Sequence, residues 1–229
     1  DAQHDGRQVA MIDANGLVSA YTGKSAIAAA GHQVGKDFSV QANMMANERV
    51  WPAMAAGFEG TTGDPADRML AALEAAEKAG GDIRGRQSAA ILIVKAKGTG
   101  RPWAGADRLF DLRVEDHPAP VEELRRLMRL QRAYQHANRG DELMTEKKAD
   151  LALKEYEAAS RLAPEIVELP FWHAVTLASV GPENEAMPIF KVLEQFKRAP
   201  VRLATILDEY GVLQGIVTQT DLLEAIAGE

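Results

Sequence analysis

Apolar and polar residues alternate in short runs near the start of the chain and recur at helical spacing through its middle. Arg7 to Asp13 reads as a strand, Asn15-Gly16 is a strong hairpin-turn signal, and Leu17 to Thr22 reads as the returning strand. A glycine-punctuated segment runs from Gly23 to Gly35. Asn47 or Glu48 opens a helix through Phe58, with Pro52 confined to its first turn. Asp64-Pro65 opens the next helix, as N-cap and first helical residue. That helix carries Met69, Leu70, Leu73 and Ala76 at helical spacing and stops at Gly80-Gly81. Gln87 to Lys95 is predicted to be a strand, Lys97 to Gly105 a loop, and Asp107 to Val114 a further strand.

From Pro118 and Pro120 to about residue 197 the pattern is helical. Leu124, Leu127, Met128 and Gln131 share one face, while Arg125, Arg126, Arg129 and Arg132 mostly occupy the other. Those arginines read as an anion contact or as the solvated face of an amphipathic helix. Ala152, Tyr156, Ala159 and Pro164 stand at the spacings of the second helix of a tetratricopeptide repeat, and Trp172 opens a looser copy with Ala186 and Phe190. Two copies are fewer than a free-standing array needs, so these helices lean on a neighbour, serve dimerisation, or bind a peptide or protein partner. Beyond them, Val201 to Leu207 and Leu213 to Val217 are predicted strands around an Asp208–Gly211 turn. Thr218 then caps a last helix, with Asp221 in its first turn.

Composition narrows the functions available. The 229 residues include 26 Lys and Arg, 33 Asp and Glu, and no Cys, for a net charge of −7. Disulfides, thiol nucleophiles and cysteine-ligated metal centres are excluded. The acidic balance argues against nucleic acid as a partner. No apolar run approaches the roughly 20 residues of a membrane span. A cytoplasmic protein is expected. Neither a signal peptide nor a Met opens the sequence, so Asp1 reads as a processed, trimmed or artificial start.

Few motifs carry chemistry. Gly23-Lys24-Ser25 looks like the end of a phosphate-binding loop, but Val18 stands where that pattern requires its first Gly. The five His form no metal-binding pair at helical spacing, and no metal site is assigned. His32, in Ala30-Gly31-His32, is the most suggestive because loops present functional side chains. Gln41, Asn43 and Asn47 form a short polar stretch that either binds a polar substrate or caps the following helix. Arg7-Gln8 and Arg86-Gln87 each stand at the mouth of a strand. They either line a cleft that grips a carboxylate or form structural ion pairs with Asp5 and Asp82. His32, Gln41, Asn43, Arg86 and Gln87 are the candidate cleft residues.

Several ordered motifs carry a resemblance: Arg7-Gln8-Val9, Tyr21-Thr22-Gly23, Ala30-Gly31-His32, Ser39-Val40-Gln41-Ala42-Asn43-Met44 and Arg84-Gly85-Arg86-Gln87-Ser88-Ala89. Residues 1 to about 190 resemble a bacterial family of unknown function with an N-terminal-nucleophile (Ntn) hydrolase-like fold. The resemblance implies an α/β protein: an αββα sandwich, truncated here, with a tetratricopeptide-like helical extension. An Ntn hydrolase attacks amide bonds with a residue-one Thr, Ser or Cys, and Asp1 is none of these. Catalysis therefore requires a nucleophile upstream of Asp1. The family's Gln-Gly-Asn is Gln41-Ala42-Asn43 here.

The last part resembles a partial cystathionine-beta-synthase-type (CBS) domain of the kind in hemolysin-like magnesium and cobalt efflux proteins. Pro200-Val201-Arg202-Leu203-Ala204, Asp208-Glu209-Tyr210-Gly211 and Gly215-Ile216-Val217-Thr218-Gln219-Thr220-Asp221 carry it. The resemblance implies that Val201, Thr218 and Asp221 hold an adenine nucleotide, AMP or ATP, and that two copies pair as a homodimer. The expected organisation is residues 1–116 Ntn-like, 117–190 helical and 191–229 partial CBS. Three functions follow: nucleotide-sensing regulation, amide hydrolysis, or a helical-repeat scaffold.

Overall fold

The computed structural model describes residues 2–101, 103, 105, 107–180, 203–207 and 213–218. The chain divides into two units, Asp1–Met128 and Arg129–Glu229. The predicted turn at 208–211, the last helix with Asp221, and Val201, Ala186 and Phe190 lie outside the described residues.

In the first unit, β1 (Gln8–Ile12) pairs antiparallel with β2 (Val18–Thr22). The connection runs from Asp13 to Leu17 and is closed by the Asp13 amide donating to the Leu17 carbonyl at 3.0 Å. Gly16 takes a left-handed φ of 82°, and the Asp13 carboxylate accepts from the amides of Asn15 and Leu17. A second hairpin, β3 (Gly31–Gly35) with β4 (Phe38–Ala42), stands in and just after the glycine-punctuated segment, where the pattern assigns no element. Both glycines are needed there. A Cβ on Gly31 would fall 2.4 Å from the Trp51 ring, and one on Gly35 2.0 Å from the Phe38 ring.

One face of this hairpin, through Phe38 and Val40, packs on α1 (Val50–Gly60) with Ala55, Trp51, Met54 and Phe58. Helix α1 begins three residues later than the earliest predicted start, because Asn47 first folds its side chain back onto the Arg49 amide at 2.9 Å. Pro52 does fall in the first turn, where its missing N–H costs nothing. Helix α2 (Pro65–Lys78) keeps its predicted cap: Asp64 accepts from the Asp67 amide at 3.0 Å. The two helices approach closely at Gly57, where a Cβ would lie 2.7 Å from the Ala71 carbonyl oxygen.

Helix α2 in turn packs Ala66 and Leu70 against the third hairpin, β5 (Ala89–Val94) with β6 (Arg108–Val114). Ile91, Phe110 and Val114 fill that core, together with Val121, Leu124 and Met128 from the start of α3 (Pro120–Thr145).

In the second unit, the rest of α3 packs Ala133 and Ala137 against Ala159, Ala163 and Leu169. These belong to α4 (Ala149–Leu162), α5 (Glu168–Val180) and the turn between them. Ala152, Tyr156 and Ala159 are all buried, as their spacing predicts. The Tyr156 ring lies over Gly140, the place a Cβ would take at 2.7 Å, and its hydroxyl donates to Asp141 at 2.6 Å. Burial and that carboxylate push the phenol well above its ordinary pKa. The last described strands, β7 (Leu203–Leu207) and β8 (Leu213–Thr218), form an antiparallel hairpin. The described strands thus make four two-stranded antiparallel sheets in a mixed α/β chain.

Candidate functional site

Strand register gathers a polar cluster from four strands. Gln8 opens β1 opposite Thr22, which ends β2; His32 on β3 stands opposite Gln41 on β4. On β3–β4, Phe38, Val40 and Ala42 are buried on the α1 side. Alternation therefore sends His32, Ser39 and Gln41 to the other face. Gln8, Thr22, His32, Ser39 and Gln41 are all half-buried.

Gln8 ties the two hairpins together. Its Nε2 lies 3.0 Å from the Ala42 carbonyl oxygen, 3.1 Å from that of Gly31 and 3.1 Å from Thr22 Oγ1. Carbonyls only accept, so the amide nitrogen, not the oxygen, faces this cluster. Two amide hydrogens serve three acceptors and are shared among them. Thr22 Oγ1 also sits 2.8 Å from His32 Nδ1. One hydrogen lies between the two atoms, and the imidazole tautomer decides which of them donates it. A hydroxyl on an imidazole nitrogen is the elementary arrangement of nucleophile and base. The same groups also form a polar cradle. Gln41 Nε2 donates to Ser39 Oγ at 2.6 Å, and Asn43 stands exposed just past β4.

Of the five candidate cleft residues, His32 and Gln41 are cross-strand partners. Arg86 and Gln87 stand at the entry to β5, where the Arg86 guanidinium pairs with Glu77 at 3.4 Å and the Gln87 carbonyl accepts from the His117 amide at 2.9 Å. The expected pairing of Arg86 with Asp82 is replaced by Arg84, whose guanidinium grips Asp82 at 2.6 and 2.9 Å. That grip holds the Asp82 carboxyl down at about 2. Asn47 does not cap the helix that follows, since α1 starts from Arg49 with no side-chain cap; it accepts from the Arg49 amide and donates to the Ala79 carbonyl, at the end of α2, at 2.8 Å. The amides of Gly23 and Ser25 bond to the carbonyls of Arg7 and Asp5, so they are not turned toward a phosphate. On α3, Arg125 pairs with Glu74, Arg126 with Glu123 and Arg129 with Glu165, which favours the solvated-face reading.

Thr22 is absent from the predicted cleft residues, and Gln8 enters them only through the Arg7-Gln8 strand-mouth reading. A signal for them exists in the sequence: the hairpin around Asn15-Gly16 sets the far ends of its two strands opposite each other. In the second unit, Thr218 ends β8 opposite Leu203, while Val201 and Asp221 lie outside the described residues.

A CBS domain model matches residues 178–228, reaching back into α5. Over 44 residues the chain is 46% identical to the "UPF0053 protein in cps region" of Klebsiella pneumoniae, covering 19% of this chain and 14% of that protein. It is equally similar to "UPF0053 protein YegH" of Escherichia coli, covering 8% of that protein. The chain therefore spans a small part of the curated relatives it matches. A solved structure, protein SPO2555 from Silicibacter pomeroyi, described under family model DUF1028, is 29% identical and covers 56% of this chain and 51% of its own, with a TM-score of 0.47. No helix among the described residues is long and apolar enough to cross a membrane. The model of the family of unknown function DUF1028 matches residues 1–124, more than half of the sequence, and the chain belongs to that family.

Proposed function

We propose that the chain is a cytoplasmic regulatory protein that senses adenine nucleotides through its C-terminal region. The observation that carries this reading is the CBS match at 178–228. The β7–β8 hairpin supports it by bringing Thr218 to a strand end, where a hydroxyl can hold phosphate. Val201 and Asp221 complete the site, with the Asp221 carboxylate accepting from ribose hydroxyls. One partial CBS module per chain calls for a homodimer. The N-terminal part, residues 1–116, is then an Ntn-hydrolase-like αββα unit. Residues 117–190 form a tetratricopeptide-like extension that packs, dimerises or binds a peptide, and residues 191–229 carry the module. The test is a melting curve with AMP or ATP. Nucleotide raises the melting temperature of the wild type and leaves Asp221→Ala unmoved. Unchanged melting of the wild type at millimolar nucleotide removes the reading.

A second reading, hydrolysis of amide bonds, is favoured by one observation: the Thr22 hydroxyl rests on His32 Nδ1 with a fixed amide donor behind it. Amidase turnover that survives rigorous purification and falls in His32→Ala supports it. Turnover indifferent to that change excludes this cluster from the chemistry.

A further inference from the structure

The β5–β6 hairpin has two unlike faces. Ile91, Phe110 and Val114 are buried in the core. On the opposite face Leu92 is 55%, Val94 57% and Leu109 39% exposed. Beyond them, in the connecting loop, Trp103 is 80% exposed. A single exposed leucine is unremarkable on a protein surface, but here three exposed aliphatic side chains share one hairpin face and an exposed indole stands in the loop that joins its strands.

The charge around this patch runs against that of the molecule. Residues 89–114 hold five Lys or Arg and two Asp, net +3, in a chain of net charge −7. Both carboxylates are engaged. Asp111 pairs with Arg108 and Arg113. Asp107 accepts from the amide and hydroxyl of Thr99, and the Arg101 amide leans on the same hydroxyl. The loop is thus shaped by its own hydrogen bonds. No ion pair among the described residues engages Lys95, Lys97 or Arg101, and all three are exposed.

We propose that this hairpin tip docks on an anionic lipid surface, with Trp103 at headgroup level and Lys95, Lys97 and Arg101 against the lipid charges. Indole is amphipathic and gathers at the membrane interface. Basic residues beside it add attraction to anionic lipids that salt weakens. The acidic remainder of the sequence is repelled from the same surface, so the cationic hairpin carries the attraction. A second copy offers acidic surface too. The exposed indole beside the cations favours a lipid interface over that surface as the occupant.

The experiment is cosedimentation of the full chain with phosphatidylserine–phosphatidylcholine vesicles and with phosphatidylcholine alone, with brominated lipid as a quencher of tryptophan. Binding is expected to the anionic vesicles only and to fade with added salt. Lys97→Glu and Arg101→Glu should each lower partitioning at least about fivefold, as for one surface cation. Trp103→Ala should remove the quenching, although Trp51 and Trp172 remain. These side chains are exposed, so the variants should melt like the wild type. Three results overturn the proposal: no binding to anionic vesicles at low salt; binding that the variants leave unchanged; or a stronger interaction of this patch with poly-glutamate or with a second copy, seen as assembly that Trp103→Ala abolishes.

Discussion

Gln8 is the place to test how the two N-terminal hairpins are held together. Replacing it with Leu keeps the bulk of the side chain and removes the donor shared by Thr22, Gly31 and Ala42. Two amide hydrogens, each worth roughly 0.5–1.5 kcal/mol net, set a range of about 1–3 kcal/mol. The site is half-buried, so water can reach part of it, and about 2 kcal/mol is the expected loss. For a chain of this size that is a fall of about 4–8 °C in melting temperature. Urea unfolding followed by circular dichroism reads the loss, and hydrogen exchange at the Thr22 and His32 amides locates it. Gln8→Glu gives the sign test. A carboxylate facing two carbonyl oxygens cannot donate, so Glu should cost more than Leu at neutral pH. Those oxygens raise the folded-state pKa of the new carboxyl above its unfolded value. The extra destabilisation is therefore present above the raised pKa and is relieved as pH falls through it. A Gln8→Leu protein within about 0.5 kcal/mol of wild type, the lower end expected for one hydrogen bond, would refute the stapling role. So would a Gln8→Glu protein as stable as Gln8→Leu at neutral pH.

Other expectations follow from the same geometry. Gly140→Ala should destabilise despite the better helix propensity of Ala: the methyl would meet the Tyr156 ring at 2.7 Å, and overpacking of about 1–3 kcal/mol outweighs a gain of about 1 kcal/mol; a denaturation curve decides the sign. Tyr156→Phe should cost about 1.5–3 kcal/mol, the value of a hydrogen bond to a charged group, measured the same way. The Asp82–Arg84 contribution to stability should be complete above the unfolded carboxyl value of 3.8 and lost as pH falls through about 2; in Arg84→Ala the NMR titration of Asp82 should move upward. Asp64→Ala should cost about 1 kcal/mol by uncapping α2, and a loss near zero would mean that the 3.0 Å bond to the Asp67 amide contributes little.

Elements whose signals are local were legible in the sequence. Asp64-Pro65 marks the start of α2 because cap and first-turn chemistry reside in those two residues. β5 shows as the unbroken apolar run Ala89 to Val94, and β6 as the alternation Phe110-Asp111-Leu112-Arg113-Val114. Hairpin β3–β4 was not legible. Its glycines read as loop punctuation, yet Gly31 and Gly35 are there to admit the rings of Trp51 and Phe38, which are contacts made by folding. Its turn also uses Asp37 at a φ of 62°, a conformation usually left to glycine. His32 and Gln41 were found by type and flanking residues, and their pairing across strands fits a shared site. Arg86 and Gln87 were grouped with them by a repeated dipeptide. The repeat reflects two strand entries, each with its own partners. Thr22 escaped notice because nothing about a lone Thr reveals the hydroxyl's neighbours before the register is known.

The Asn15-Gly16 turn has a chemical lifetime as well as a shape. Spontaneous deamidation begins when the Gly16 nitrogen attacks the side-chain carbonyl carbon of Asn15. In the folded hairpin that nitrogen is occupied by a hydrogen bond to the Asp13 carbonyl at 3.1 Å, and the Asn15 amide leans on the Asp13 carboxylate. Ageing therefore proceeds through molecules in which the hairpin has opened. The isoaspartyl product inserts a methylene into the main chain of the β1–β2 connection, the loop that sets Gln8 opposite Thr22. Stored protein should thus lose the Gln8 contacts in step with the isoaspartate found by peptide mapping. A preparation's age becomes a variable in any measurement made on this cluster.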